Sequence, residues 1–284
     1  MLRWRQPAAG TVREGDAWLW RWSDAAVMAV VNVTPDSFSD GGRTLISEAA
    51  VAAGAAAHRA GAAVIDVGGA SSRPGAEPVP VEVELERVVP VLRGLRAACP
   101  EARLSVDTSQ AEVAAAAIAA GAGLVNDMSG LRDAELRRVC ADAGVPAVLG
   151  HCRGSPRTMQ LEVHFDDVVQ EVSDELLAAA RRALEAGVPS LVLDPGLGFG
   201  KRLEHNRELL RATDRLAALG FPLLVGASRK GSLGRVAGEP RPERRDAASI
   251  AAHLAAVSRG AALVRAHDAR GHVQALAVWR WLHD

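Results

Sequence analysis

An eightfold repetition constrains this chain more than any other feature: a short apolar run, a polar or glycine turn, then a longer helix-like segment. The apolar runs, rich in Val, Ile or Leu, lie at 27–31, 63–67, 103–106, 123–125, 146–149, 190–193, 222–225 and 262–264. Helix-like segments follow at 47–60, 82–98, 111–120, 134–143, 166–186, 204–219, 243–259 and 273–282. The runs lack two-residue alternation, which implies strands buried on both faces, as in a parallel sheet covered by helices. Spacings of roughly 20 to 45 residues suit βαβ crossovers.

Eight such units can close into a (β/α)8 TIM barrel, an α/β fold with no free sheet edge. A doubly wound open sheet has the same local pattern and is the second fold expected. Before the first unit, Trp18, Trp20 and Trp22 alternate as a strand would, so residues 1–26 are expected to form a short strand or hairpin capping the barrel bottom. No linker or low-complexity segment interrupts the series. The 284 residues are therefore expected to be a single domain, with the barrel at 27–284.

Charge and composition narrow the partners. A formal net charge of −1 gives no electrostatic case for nucleic acid or an anionic membrane. The three cysteines, Cys99, Cys140 and Cys152, lack C-x-x-C spacing and suit a reducing compartment. Neither a signal-peptide pattern nor a membrane-length apolar stretch occurs, so a cytoplasmic location is expected.

In a barrel of this kind the strand C-termini and the loops after them form the active face. Read in order, they deliver Asn32; Asp66 with "GGASSRPGAEP"; Asp107; Asn126 and Asp127; His151 with "RGSPRTMQ"; Asp194 in "LDPGLGFGK"; "GASRKG"; and Arg265 with His267. Taken singly, an Asp or Asn at such a turn is more often a helix N-cap, and Asp107, Thr108 or Ser109 could cap the helix after "SVDTSQ". Capping becomes a strained account when it must be repeated around one whole face. "LDPGLGFGK" is not a nucleotide-binding P-loop, because Arg202 stands where Ser or Thr is required. Lys201, beyond its glycines, is expected to be solvated, and His58 and His253 to be surface or packing residues. Cys152 beside His151 points to the opposite face of an extended strand, which argues against a nucleophilic pair.

The collection suits a polar heterocycle plus an anion. Asp107, Asn126 and Asp194 offer acceptors and an amide for the guanidine-like edge of a pterin. Lys230, Arg265, His267 and Arg73 offer cations for a phosphate or pyrophosphate.

Together, "NVTPDSFSDGG", "DVGGASSRPGA", "SVDT", "NDMSG", "HCRGSPRTMQ", "LDPGLGFGK", "GASRKG" and "RAHD" resemble the motifs of the dihydropteroate synthase family, in order and at strand ends. The resemblance implies an enzyme of folate biosynthesis that joins dihydropterin pyrophosphate to p-aminobenzoate, a homodimer, and a sulfonamide target. It implies that Asp107, Asn126, Asp194 and Lys230 hold the pterin, with Asp107, Asp194 and Lys230 closest to the chemistry. Asn32, Arg73, Arg265 and His267 would hold pyrophosphate, with Asn32 contacting Mg²⁺, a cation that takes few protein oxygens besides phosphate and water. Ser72, Phe199 and Ser228, with Phe38 and Pro74 from two lid loops, would shape the p-aminobenzoate pocket.

Some positions depart from the family pattern. Ala70 stands where Glu is common, Ser72 replaces Thr, Gly150 and Cys152 occupy frequent Met positions, and Gly231 follows Lys230 where a bulkier residue is common. Gly150 leaves the pterin pocket looser unless a neighbour fills the space. The rival readings are an altered, non-condensing pterin-binding paralogue, a pterin-dependent methyltransferase barrel, and an aldolase or isomerase using Lys230 as its amine.

Overall fold

A computed structural model describes residues 1–22, 24–34, 43–71, 73 and 75–283. Eight parallel strands form one sheet: β4 (Ala26–Asn32), β5 (Val64–Gly68), β6 (Leu104–Asp107), β7 (Leu124–Asp127), β8 (Ala147–Gly150), β9 (Leu191–Asp194), β10 (Leu224–Val225) and β11 (Leu263–Ala266). Each pairs with its neighbour in sequence, and β11 returns to β4 through Leu263↔Ala26. A parallel bridge between Leu193 and Leu223 joins β9 to the β10 segment, reinforced by Leu193 N–H donating to Pro222 O at 2.9 Å. The ring is thereby closed. An open doubly wound sheet would need a reversal of strand order, and none occurs here.

The absence of alternation is explained by burial: every residue of β5, β7, β8 and β9 is buried. Helices α1 (Arg43–Arg59), α2 (Val81–Ala98), α3 (Ala111–Ala119), α4 (Ala134–Ala143) and α5 (Val168–Glu185) cover the outer face, followed by α6 (Leu203–Arg211), α7 (Thr213–Ala217), α8 (Gly231–Ala237), α9 (Asp246–Val257) and α10 (Ala269–His283). The expected helix at 204–219 is broken at Ala212, where the Thr213 hydroxyl donates to Leu210 O. Such back-bonding competes with helical continuation. Helix α8 was not expected, since its two glycines lower helix propensity.

The Trp-bearing segment is a three-stranded antiparallel sheet, one strand more than a hairpin: β1 (Leu2–Trp4), β2 (Val12–Glu14) and β3 (Ala17–Trp20), with β3 central. Its anchors all lie just before barrel strands. Trp4 Nε1 donates to Gly123 O, Arg3 N–H to Ser190 Oγ, and Trp22 Nε1 to Ala262 O. Leu2, Trp4 and Trp20 join the same hydrophobic core as the barrel strands. The sheet therefore caps the N-terminal end of the barrel and leaves the opposite end open. Among the described residues, no helix is long and apolar enough to cross a membrane.

Candidate active site

The open end holds a cavity of about 960 Å³, lined by residues from the strand ends and the loops after them. Asn32, Arg73, Asp107, Asp194, Phe199, Ser228, Lys230, Arg265 and His267 all reach it. Asn126 does not line it; its buried side chain donates from Nδ2 to Asp66 Oδ2 at 2.9 Å, while Oδ1 has no partner. Ser72, Phe38 and Pro74 lie outside the described residues.

Capping does not account for the strand-end acids. The residue before α3 is Gln110, and Thr108 Oγ accepts its N–H, while Asp107 turns across the barrel mouth. Side-chain caps are supplied by Asp133 and Asp167, neither at a strand end. Asp127 does have a local structural job: it accepts from Ser129 N, Ser129 Oγ and Leu131 N, which folds the turn after β7.

Arg265 is the hub of the mouth. Its Nε donates to Asp66 Oδ2 at 2.7 Å and its Nη2 to Asp107 Oδ2 at 2.6 Å. Burial pushes the Asp107 carboxyl upward and Arg265 opposes that shift. The Arg265 pKa is raised: burial lowers it, and Asp66 and Asp107 more than compensate. Asp194 is also pushed up by burial, against the Gly196 N–H it accepts and the charges of Lys230 and Arg265. Burial lowers Lys230 to about 8, with Asp194 and Asp107 holding it from falling further. Its Nζ stands 4.0 Å over the Phe199 ring, a cation–π contact.

His267 is not the cation expected. Burial first, then the charges of Arg229, Arg265 and Lys230, lower it to about 3 and keep the ring neutral near pH 7. Ser228 Oγ accepts the His267 backbone N–H and lies 2.9 Å from the ring's Nδ1, so one hydroxyl fixes both the backbone and the ring of His267.

Lys201 is also corrected. It is 4 % exposed, burial lowers it to about 7, and its Nζ donates to His151 Nδ1 at 2.9 Å and Phe199 O at 3.0 Å. Its neighbours are the cavity floor and the end of β8, because three glycines with positive φ fold the loop back on itself. A Cβ at Gly196 would run into the His151 carbonyl oxygen, so that position requires glycine. Cys152 packs with Met159 and Phe199, away from His151, and burial raises its thiol.

Gly150 does not loosen the pocket. Met128, from the turn after β7, occupies the space: a Cβ at position 150 would lie 2.6 Å from Met128 Sδ and 2.8 Å from its Cα. We expect Gly150→Ala to destabilise the protein by about 1–3 kcal/mol. Because backbone is part of the clash, adding Met128→Ala should restore only part of the loss. Urea denaturation of both variants checks this, and an unaltered midpoint for Gly150→Ala would remove the packing argument.

The loop carrying Lys230 has supports that no sequence motif disclosed. Arg229 has φ +57°, an uncommon conformation for a side-chain-bearing residue. It is held by a two-point ion pair to Asp246 at 2.7 and 2.8 Å and by its N–H donating to Ser249 Oγ. Beneath it His253, 1 % exposed, accepts the Ala227 N–H at Nε2 and donates from Nδ1 to His272 Nε2 at 2.8 Å. His272 in turn donates from Nδ1 to Asp268 O. His253 thus packs as one of the two expected alternatives and also ties the "GASRKG" loop to "RAHD".

This line needs a neutral His253, which accepts at one ring nitrogen and donates at the other. Burial lowers His253 to about 3 and His151 to about 4. The unfolded chain, with histidines near 6.5, binds more protons than the native state below that pH, so stability falls as pH drops from 6.5 toward 3. Each such histidine contributes a slope of about 1.4 kcal/mol per pH unit within that window. Urea denaturation at several pH values should show a shallower slope for His253→Asn than for the parent; equal slopes would mean that His253 is not held neutral.

The pterin binding enzyme family model matches residues 28–267. The dihydropteroate synthase of Mycobacterium leprae is 47 % identical over 268 residues, 90 % of this chain and 93 % of that protein. A Haloferax volcanii protein described as a probable bifunctional folylpolyglutamate synthase/dihydropteroate synthase is 45 % identical over 90 % of this chain, which spans 30 % of its length. Among solved structures, the Xanthomonas albilineans dihydropteroate synthase with 4-aminobenzoic acid superposes with a TM-score of 0.86 at 48 % identity, covering 92 % of this chain and 93 % of that one.

Proposed function

The chain belongs to the dihydropteroate synthase family of pterin-binding enzymes, and from that premise we propose how its own residues carry the family's reaction. It condenses 6-hydroxymethyl-7,8-dihydropterin pyrophosphate with p-aminobenzoate to give 7,8-dihydropteroate and pyrophosphate in folate biosynthesis. The observation that carries the assignment of residues is the convergence of Asp107, Asp194, Lys230 and Arg265 on one cavity at the strand ends.

The pterin lies against Asp107, Asp194 and Lys230, with its N–H groups directed at the carboxylates. Asn126 supports this site from beneath the cavity lining, since its Nδ2 donates to Asp66, the carboxylate that also holds Arg265. Arg73, Arg265 and His267 receive the pyrophosphate beside Asn32. Cleavage of the methylene C–O bond sends its electron pair to pyrophosphate; the amine of p-aminobenzoate supplies the new C–N bond and releases a proton to solvent. Fixed cations at the leaving oxygens and carboxylates near the ring stabilise the separating charges.

Asn32 suits Mg²⁺ as a hard oxygen donor lining the cavity. The ion would neutralise charge on the leaving group. Phe199 and Ser228, which both line the cavity, form the p-aminobenzoate wall. Sulfonamides would compete at this wall. A cytoplasmic homodimer is part of the same reading, supported by exposed Val278, Trp281 and Leu282 along α10, an apolar strip of the kind an interface covers.

The test follows pyrophosphate release with Mg²⁺, with and without p-aminobenzoate, while dihydropteroate is separated by chromatography. Product that requires both substrates is expected. Pterin binding without product, in folded protein, would replace this reading with the altered paralogue.

A further inference from the structure

We propose that Lys201 is a positioning residue that fixes Phe199, and with it the p-aminobenzoate wall, through a buried line from Glu175 on α5 through His151 to the cavity floor. The proposal rests on the reading of Phe199 as that wall.

Each link is directional. The Glu175 carboxylate can only accept, so at 3.0 Å the hydrogen is on His151 Nε2. Nδ1 of the neutral ring is then an acceptor, which Lys201 Nζ fills at 2.9 Å by donating an N–H. The remaining Lys201 hydrogens go to Phe199 O at 3.0 Å and His151 O at 3.4 Å. Glu175 is itself held by Arg153, whose Nε donates to Oε1 at 2.9 Å.

The loop needs such a tie. Gly196, Gly198 and Gly200 all have positive φ, and glycine-rich backbone loses much conformational freedom on ordering. Asn206 Oδ1 accepts Gly198 N–H, and Gln160 donates to Gly198 O, but at Phe199 the carbonyl is held by Lys201. The Phe199 ring also carries Lys230 Nζ on its face. Loss of the Lys201 tie therefore reaches the wall first and the Lys230 ammonium through it.

The experiment measures the calorimetric Kd of p-aminobenzoate in the presence of pyrophosphate and dihydropterin, its KM, and the Kd of dihydropterin pyrophosphate. Lys201→Met should weaken p-aminobenzoate about tenfold, a change of about 1.4 kcal/mol, and pterin pyrophosphate by less than about twofold. Glu175→Leu, at the 42 % exposed end of the line, should act in the same direction and less, with thermal melting as the control for folding. Glu175→Gln keeps the acceptor and should stay near the parent. In a Phe199→Ala background the effect of Lys201→Met should vanish, because the positioned ring is gone. An undiminished effect in that background, or equal weakening of both ligands by Glu175→Leu, would overturn the proposal. A parent protein that binds both ligands but forms no dihydropteroate defeats the functional reading alone, since the binding comparison still decides the role of Lys201.

Discussion

Lys230→Ala is expected to lower the rate of dihydropteroate formation by about 10²–10³-fold while the barrel stays folded. The loss falls on chemistry because Lys230 brings the one ammonium that faces both Asp194 and the Phe199 ring at the cavity. Its burial is unfavourable in itself, as the lowered pKa of about 8 shows, so its removal spares the fold a desolvation cost. Lys230→Arg should not restore the rate, since a planar fork cannot replace a compact charge over the ring. The parent enzyme should also lose activity as pH rises through about 8, where the ammonium gives up its proton. Steady-state rates across pH, with thermal melting as the control for folding, decide the matter. Wild-type turnover in soluble Lys230→Ala would refute the assigned site.

Arg265→Leu should fail differently, by destabilising the protein as well as abolishing turnover. The guanidinium pairs with Asp66, whose side chain is 0 % exposed, and with Asp107, 17 % exposed. Breaking a buried pair from one side leaves an uncompensated charge and costs about 3–5 kcal/mol. A second substitution, Asp66→Leu, removes the stranded carboxylate and should recover part of the stability without recovering activity. Denaturant titrations of the two single variants and the double variant give this cycle. If Arg265→Leu unfolds at the parental midpoint, the ion-pair hub does not hold the barrel mouth together.

The two experiments separate features that the sequence disclosed unequally. Lys230 stood in a motif at a strand end and was legible as a site residue. Asp66 stood at the end of its strand too, but its function as the anchor beneath Arg265 depends on a pairing across 199 positions. Lys201 was misjudged because a lysine after glycines ordinarily faces water; only the folded loop shows that it turns inward. His267 was counted as a cation because composition shows its ring and not the three positive neighbours that keep it neutral. Met128 filling the space at Gly150 was similarly invisible, since the two residues meet only when β7 and β8 lie side by side.

The sequence by itself determined the repeating strand–helix unit, the strand ends that carry polar groups, and the family motifs there. These are local properties: burial on both faces writes itself into uninterrupted apolar runs, and a motif is read where it stands. Closure of the ring, the charge states of His267 and Lys201, and the buried lines through His151 and His253 were decided by tertiary structure. Burial and charge proximity depend on which distant segments become neighbours, and that information appears only when the eight strands close.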